Sequence, residues 1–221
     1  MPLPAAPPHL PLPNLAVLHV DAQCVVLVKP AGLLAVPGRG EDKQDCVIHR
    51  LQTRWPEARV VHRLDMATSG LMVFALDAAS HVALNRQFAE RQVAKRYSAV
   101  VAGLVAQDTG EINLPLICDW PNRPRQMVDA ERGKPSLTHY AVLARDTQAG
   151  RTRVALTPVT GRTHQLRVHL LALGHPIVGD ALYANAPWDT AAGRLLLHAD
   201  QLQFTQPHSG QTLRFEAPAP F

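Results

Sequence analysis

The chain has 221 residues and a formal charge of +4, from 22 Lys and Arg residues against 18 Asp and Glu residues. This length suits one domain, or one domain with two lobes, and is enough to bury a sizeable core. The charge is too small to identify a polyanionic partner, so such a partner requires basic side chains clustered on one surface.

Membrane-spanning and disulfide-rich classes do not fit the sequence. It has no apolar run of 18 residues, and its N-terminus lacks the basic start and continuous apolar core of a signal peptide. We therefore expect a cytoplasmic protein without a membrane partner. The three cysteines, Cys24, Cys46 and Cys118, lie far apart and form no Cys-x-x-Cys pair, which argues against a disulfide framework or a zinc site.

The predicted elements follow a proline-rich start. Residues 1–13 hold six prolines, and we predict a largely disordered tail over residues 1–14 and one domain over residues 15–221. Strands are predicted near Ala16–Val20, Val25–Lys29, Leu71–Leu76, Arg96–Val101, Leu137–Ala144, Arg153–Thr157, Leu195–Phe204 and Thr212–Phe215. Helices are predicted near Val47–Trp55, from Asp77 to about Arg91, and from about His164 to Leu173. Because the strands cluster rather than alternating strictly with helices, an α+β fold is favoured over a doubly wound sheet.

The most informative segment is the block His62–Ala75, which places Asp65 in a turn between two apolar, strand-like runs. Thr68-Ser69-Gly70 supply the chemistry of the turn. His62 and Arg63 put cationic side chains beside the acid, and these favour its ionised form. Asp65 is thus a candidate reactive carboxylate, although a turn Asp that caps its own backbone has the same local pattern.

A second segment, Thr160–Tyr183, predicts a helix with both ends marked. Thr163 is the predicted N-cap, Gly174 is the predicted C′ residue, and Pro176 prevents continuation. Arg167 lies inside this apolar helix. It needs an acidic partner if its face is buried, because an unpaired buried charge is very costly.

We expect Asp65 to be that partner. His164, Arg167 and Leu171 are predicted to share one helix face. His164 and His169 are five positions apart, about 140° around the axis, so they do not share a ligand face. No metal site is expected from them.

Four blocks occur in the order and rough spacing of a known family: Val28–Leu34, His62–Ala75, Lys95–Gly103 and Gly161–Tyr183. From Val17 to Pro218 the chain resembles RNA pseudouridine synthases of the RluA type. The stretch Leu114–Pro124 is most similar to the short, dual-specificity members that act on 23S rRNA and tRNA. The resemblance implies an α+β fold with a mixed, mainly antiparallel central sheet, flanking helices and an RNA-binding cleft.

The resemblance also implies a reaction and its residues. Uridine becomes pseudouridine when the N1–C1′ bond breaks, the base turns in place and C5 joins C1′. Since no atom is gained or lost, neither a cofactor nor a metal is implied. By the same resemblance Asp65 is the nucleophile, Tyr97 stacks on the base and serves in proton transfer, and Arg167 pairs with Asp65 and holds it ionised. Whether Asp65 attacks the base or the sugar stays open.

RNA is the implied partner of a monomeric protein, and unstacked loops are the expected targets because flipping a base costs least there. Arg63 is predicted to fill the gap that the flipped uridine leaves, and His62 to contact phosphate. Lys29 is predicted to bind phosphate or to brace the cleft, and a solvated turn residue is the alternative. Arg162 and His164 are further predicted RNA contacts.

The stretch Trp120–Lys134 is expected to be an exposed basic loop. It carries Arg123, Arg125 and Arg132 among prolines and glycines. Contact with RNA is the favoured role, and a loop that is merely solvated is the alternative.

Two other function classes remain. A non-catalytic RNA-binding or RNA-folding module would not need the set Asp65, Tyr97 and Arg167. A nucleosidase or glycosidase would need a second paired carboxylate, which the reactive block lacks.

Overall fold

The computed structural model describes residues 15–221. The predicted disordered tail, residues 1–14, lies outside the described residues. The chain divides into two compact units. Among the described residues, the first unit comprises residues 15–93 together with Gln203–Phe215, and the second comprises Ala94–Leu202 together with Glu216–Phe221.

Twelve strands and three α-helices make up the described part of the chain. In chain order they are β1 (Ala16–Val20), β2 (Cys24–Lys29), α1 (Val47–Gln52), β3 (Arg59–Val60), β4 (Ser69–Ala75), α2 (Ala78–Ala89), β5 (Ala94–Ala102), β6 (Thr109–Asn113), β7 (Leu116–Cys118), β8 (Gln126–Val128), β9 (Leu137–Asp146), β10 (Arg151–Pro158), α3 (Gln165–Ala172), β11 (Leu197–Thr205) and β12 (Thr212–Glu216). A short 3₁₀ helix covers Glu41–Lys43. The predicted α+β class is confirmed, and no helix in residues 15–221 is long and apolar enough to span a membrane.

In the first unit, β2 pairs antiparallel with both β1 and β4. Every residue of β4 is buried, which explains why Leu71–Ala75 form a continuous apolar run rather than an alternating one. Helix α2 begins where Asp77 accepts a hydrogen bond from the backbone N–H of Ser80 at 2.8 Å. The predicted cap at Asp77 is therefore confirmed, and Leu84 is buried on the helix face below it.

In the second unit, β5, β10, β9 and β6 are neighbours in that order, and each pair is antiparallel. Strand β10 alternates: Thr152, Val154 and Leu156 are buried between more exposed residues. This is the pattern of a strand with one face on the core. Leu156 pairs with Tyr97 on β5, so the register of β10 fixes the position of the predicted aromatic residue.

The stretch predicted as one exposed basic loop contains a strand. β7 and β8 form an antiparallel hairpin in which Leu116 pairs with Val128 and Cys118 pairs with Gln126. The loop prediction is wrong at β8, because three residues between polar neighbours show no usable periodicity. Between the two strands, residues 120–125 do form an exposed turn region.

Helix α3 confirms the predicted end and corrects the predicted start. Its C-cap is Leu173, and Gly174 follows with φ 89°. The N–H of Gly174 donates to the Leu171 carbonyl and the N–H of His175 to the Leu170 carbonyl, each at 2.9 Å, which is the Schellman pattern.

At the N-terminal end of α3, His164 rather than Thr163 is the N-cap. It has a left-handed φ of 52° and makes no side-chain cap hydrogen bond. Its ring is instead engaged in a tertiary hydrogen bond with the Tyr183 hydroxyl.

Candidate active site

Asp65 lies in a tight turn before β4. The N–H of Thr68 donates to the Asp65 carbonyl at 3.1 Å, so Met66 and Ala67 are the central residues of the turn. Ser69 already belongs to β4, and the predicted turn at Thr68–Gly70 therefore lies about three residues too late. The Asp65 side chain is half-buried and its neighbour Met66 is exposed.

The turn is held by a buried lysine. Lys29, at the end of β2, has no solvent-exposed surface. Its ammonium donates to the carbonyls of Pro30 at 2.8 Å, Leu33 at 2.7 Å and Met66 at 3.0 Å. The Met66 carbonyl also accepts from the N–H of Gly32 at 2.8 Å. These bonds join the Lys-Pro-Ala-Gly segment to the residue after Asp65.

The burial of Lys29 corrects one prediction. An ammonium enclosed by carbonyl oxygens and out of contact with solvent neither binds an RNA phosphate nor is a solvated turn residue, so of the roles predicted for Lys29 only bracing agrees with the structure. A buried ammonium must replace its lost water contacts with hydrogen bonds, and the three converging carbonyls provide them. An exposed lysine could bond to water instead.

His62 is attached to the first unit on two sides. The backbone N–H of Val73 on β4 donates to its Nε2 at 3.0 Å. Its ring stacks on Phe88 of α2, with centroids 4.6 Å apart and planes at 21°. Since Nε2 accepts, the ring proton of this neutral histidine lies on Nδ1. Arg63 is exposed, and RNA contacts by these two residues stay predictions.

Tyr97 lies on β5 between two anchored neighbours. Arg96 donates to the two carboxylate oxygens of Asp200 at 3.1 and 3.0 Å, and the Ser98 hydroxyl donates to Asp200 at 2.7 Å. Successive side chains on a strand point to opposite faces, so the Tyr97 ring projects from the face opposite these two bonds. It is half-buried there.

Arg167 is buried in α3 and forms a two-point ion pair with Asp180. Its Nε donates to one carboxylate oxygen at 2.8 Å and its Nη2 to the other at 2.7 Å, with 4% and 0% of the two side chains exposed. The N–H groups of Leu182 and Tyr183 also donate to Asp180, at 3.0 and 3.2 Å. Sequence reasoning required an acid for Arg167 but assigned no role to Asp180. Pairing of Arg167 with Asp65, a residue of the other unit, stays a prediction.

Tyr183 connects the start of α3 to the β7–β8 hairpin. Its hydroxyl lies 2.7 Å from Nδ1 of His164 and accepts from the backbone N–H of Gln126 at 2.7 Å. The guanidinium carbons of Arg125 and Arg167 lie 5.4 and 5.0 Å from its ring centroid. One buried tyrosine thus joins the start of α3 to the hairpin strand β8, and it explains the unusual backbone of His164.

Gln165, which the sequence did not single out, organises the segment before α3. Its side-chain carbonyl accepts from the Thr160 hydroxyl at 2.8 Å and from the N–H of Arg162 at 3.0 Å. Its amide donates to the Leu137 carbonyl and the Thr138 hydroxyl, both at 3.0 Å. The Arg162 side chain is exposed, and its contact with RNA stays a prediction.

The three arginines of the predicted basic loop differ in their surroundings. Arg123 and Arg125 are exposed. Arg132 donates to the Asp129 carboxylate at 3.0 and 2.7 Å. Backbone and side-chain hydrogen bonds from Arg132 hold the pKa of Asp129 below its usual range, so this arginine faces a fixed negative charge.

One group of potential metal ligands lies close together among residues 15–221. His19, Asp21 and Cys24 have ligand atoms within 4.8 Å of one another. Asp21 already accepts from the N–H groups of Gln23 at 2.8 Å and Cys24 at 2.7 Å. Burial raises the pKa of the Cys24 thiol far above its usual range. Hydrogen bonding accounts for this arrangement, and we assign no metal to it.

Comparison with known proteins identifies the class. Residues 23–172 match the family model described as RNA pseudouridylate synthase. The dual-specificity RNA pseudouridine synthase RluA of Yersinia pestis is 53% identical over 205 residues, which cover 93% of this chain and 99% of that protein. The protein of the same name from Escherichia coli strain K12 is 52% identical over 211 residues, 95% of each chain. The solved structure of human RNA Pseudouridylate Synthase Domain Containing 1 gives a TM-score of 0.79 at 32% identity and covers 98% of this chain and 87% of that one.

An α+β fold with these likenesses defines an RNA-modifying isomerase. The chain belongs to the RNA pseudouridylate synthase family, and the predicted activity, isomerisation of uridine to pseudouridine in RNA, is confirmed at that level.

Proposed function

We propose that Asp65 is the nucleophile of this reaction. The observation that carries the proposal is the Asp65 turn, in which a half-buried carboxylate precedes a carbonyl clamped by Lys29 and Gly32. A carboxylate adds to a carbon electrophile and leaves again without a cofactor. A clamped backbone limits the orientations of that carboxylate, and such positioning lowers the barrier to attack.

The reaction balances within the substrate. The N1–C1′ bond breaks, the C5–C1′ bond forms, the proton leaves C5, and N1 gains a proton. Nothing is oxidised or reduced, which supports a reaction that needs neither cofactor nor metal. We assign Tyr97 to stacking on the base and to the proton transfer, supported by its half-buried place on β5 between two anchored residues. We assign Arg167 to holding Asp65 ionised.

We propose that the substrates are uridines in loops of structured RNA, in 23S rRNA, the tRNA anticodon stem-loop or both, and that the protein acts as a cytoplasmic monomer. The support is the likeness over 95% of the chain to proteins named for dual specificity, together with exposed arginines on the β7–β8 hairpin. Pseudouridine mapping in ribosomal and transfer RNA, with and without the gene, tests the two RNA classes separately.

The nucleophile is tested with Asp65→Asn and Asp65→Ala. A stem-loop RNA with tritium at uridine C5 releases the label to water only when C5 loses its proton. We expect no release by either variant, while affinity for the stem-loop changes by less than about threefold, because the nucleophile serves chemistry more than binding.

Asp45→Asn is the control, an exposed carboxylate of the same unit whose partner is Arg50. It is expected to keep wild-type release. Turnover by Asp65→Asn would remove Asp65 from the nucleophile role, and absence of release by the wild type on both RNA classes would contradict the proposed substrates.

A further inference from the structure

A large aromatic side chain is exposed at the end of the β7–β8 hairpin. Trp120 has 64% of its surface in contact with solvent. The Arg123 guanidinium carbon lies 4.7 Å from the centroid of its ring, and Arg123 Nε donates to the Trp120 carbonyl at 3.2 Å. A cation therefore covers part of the indole, and much of the ring surface remains in water.

The turn that carries Trp120 is ordered by its own hydrogen bonds. The N–H of Asp119 donates to the Arg125 carbonyl at 3.0 Å, and the N–H of Arg125 donates to the Asn122 carbonyl at 3.0 Å. The Asn122 amide donates to both carboxylate oxygens of Asp119 at 3.1 and 3.0 Å. Trp120 is thus held by a closed turn, and a ligand would not have to order the loop.

The hairpin is also fixed to the helix that bears Arg167. Leu116 of β7 packs in a buried cluster with Val168 of α3 and with Tyr183, and the N–H of Gln126 donates to the Tyr183 hydroxyl. The position of the exposed indole is therefore set by the same elements that hold a predicted active-site residue.

An exposed indole beside two exposed arginines is well suited to bind an unpaired nucleotide. Unpaired bases stack on aromatic rings and on guanidinium planes, and basic side chains next to the ring neutralise the adjoining phosphates. Arg123 and Arg125 supply that charge on the same turn. A protein partner would be expected to bring a larger contiguous apolar surface into contact, whereas here the neighbouring residues, Pro121 to Arg125, include an amide and two charges.

We propose that Trp120 and Arg123 form a stacking site for one unpaired base of the RNA substrate, separate from the uridine that reacts. This inference rests on the proposed function, because it assumes that a looped RNA is bound. It adds a recognition contact for a second nucleotide, read by its aromatic face and not by its hydrogen-bonding edge.

The test measures the affinity of a stem-loop substrate for Trp120→Ala and Trp120→Phe. Loss of a stacked base is expected to weaken binding by about 10-fold in Trp120→Ala and by less in Trp120→Phe, which keeps a ring. Turnover at saturating RNA should fall much less than affinity, and the melting temperature should not move, because the side chain is exposed. The matched control is Trp55→Phe, since Trp55 also carries an arginine, Arg54, 4.8 Å from its ring.

Stem-loops with a single abasic nucleotide identify the stacked base. One loop position other than the reacting uridine should weaken binding to the wild type but not to Trp120→Ala, because the contact is already lost. Equal affinity of Trp120→Ala and wild type, or equal sensitivity of both to every abasic position, would overturn the stacking site. Isomerisation by the wild type in the same assay keeps this outcome distinct from a failure of the proposed function.

Discussion

At the scale of single residues, the two buried cations have different partners and different consequences. Lys29 donates to three backbone carbonyls, and one of them, that of Met66, belongs to the Asp65 turn, so backbone dipoles contribute to stabilising its charge. Arg167 is neutralised by a carboxylate, Asp180, through two parallel hydrogen bonds. Guanidinium suits this pairing because its planar donors match a carboxylate, while the compact ammonium suits converging single acceptors.

The Arg167–Asp180 pair should be essential for stability. Arg167→Ala leaves a buried carboxylate and Asp180→Asn leaves a buried guanidinium, and loss of one partner of a buried pair costs about 3–5 kcal/mol. We expect either variant to lower the free energy of unfolding by that amount in urea titrations, and Arg167→Ala to reduce turnover as well. Glu57→Gln, which breaks the exposed pair with Arg59, is the control and should change little. If Asp180→Asn had the same free energy of unfolding as the wild type, the pair would not be a buried ionic contact.

The need for an acidic partner of Arg167 followed from the sequence, but its pairing with Asp180 did not. An arginine in an apolar helix demands an acid, and the resemblance pointed to Asp65. Asp180 lies 13 positions along the chain in the same sequence block, after a glycine and beyond the end of the helix. Asp180 is visible in the sequence, but its position beside the Arg167 guanidinium depends on the reversal of the chain after Gly174.

At the scale of elements, helix ends show which signals are local. Gly174 ends α3 through its own positive φ, and this was predictable because the glycine is present in the sequence. The start was not, because His164 is positioned by the Tyr183 hydroxyl, 19 residues away. Likewise, β8 is stabilised by pairing with β7 and by the hydrogen bond from the Gln126 N–H to the Tyr183 hydroxyl. A three-residue strand is too short to show a hydrophobic periodicity in the sequence.

The hairpin predicts a specific salt dependence of RNA binding. Arg123→Gln combined with Arg125→Gln should reduce the slope of log affinity against log salt by about 1.4, from about 0.7 for each single-stranded phosphate contact. Arg132 is left out because Asp129 already pairs with it. Arg86→Gln, which removes one exposed charge from α2, is the control for charge loss away from the hairpin and should leave the slope unchanged. Binding titrations over a range of salt would show parallel lines for the double variant and the wild type if the hairpin arginines are only solvated.

At the scale of the whole molecule, the α+β class followed from strand clustering, and most strands lie within a few residues of their predicted ends. The order of the strands in the sheet did not follow from the sequence. β10 lies between β5 and β9, strands separated from it by very different lengths of chain. Hydrophobic periodicity identifies a strand and its buried face, but partner choice depends on how distant faces pack together, and one sequence does not display that.

Two buried histidines make global stability depend on pH. His169 bonds to the Thr138 hydroxyl at 2.9 Å and the Leu114 carbonyl at 3.0 Å, and His198 lies 3.0 Å from the Ala217 carbonyl. Burial lowers the pKa of both rings from the ordinary value of 6.5. The unfolded chain therefore binds more protons than the folded one as pH falls below 6.5. Stability is fully present above that pH and declines as pH drops towards the lowered folded pKa.

Each neutral buried ring adds up to about 1.4 kcal/mol per pH unit to this decline. We expect the free energy of unfolding of the wild type to fall between about pH 6.5 and pH 5, ahead of the carboxylates, whose ordinary pKa is 3.8. His169→Gln should be less stable at neutral pH and yet show a smaller decline on acidification, because one proton uptake is removed. His208→Gln, at an exposed turn, should retain the wild-type slope. Urea titrations at stepped pH give the slope of the free energy of unfolding against pH. An unchanged slope in His169→Gln would mean that the His169 ring takes up its proton equally in the folded and unfolded states.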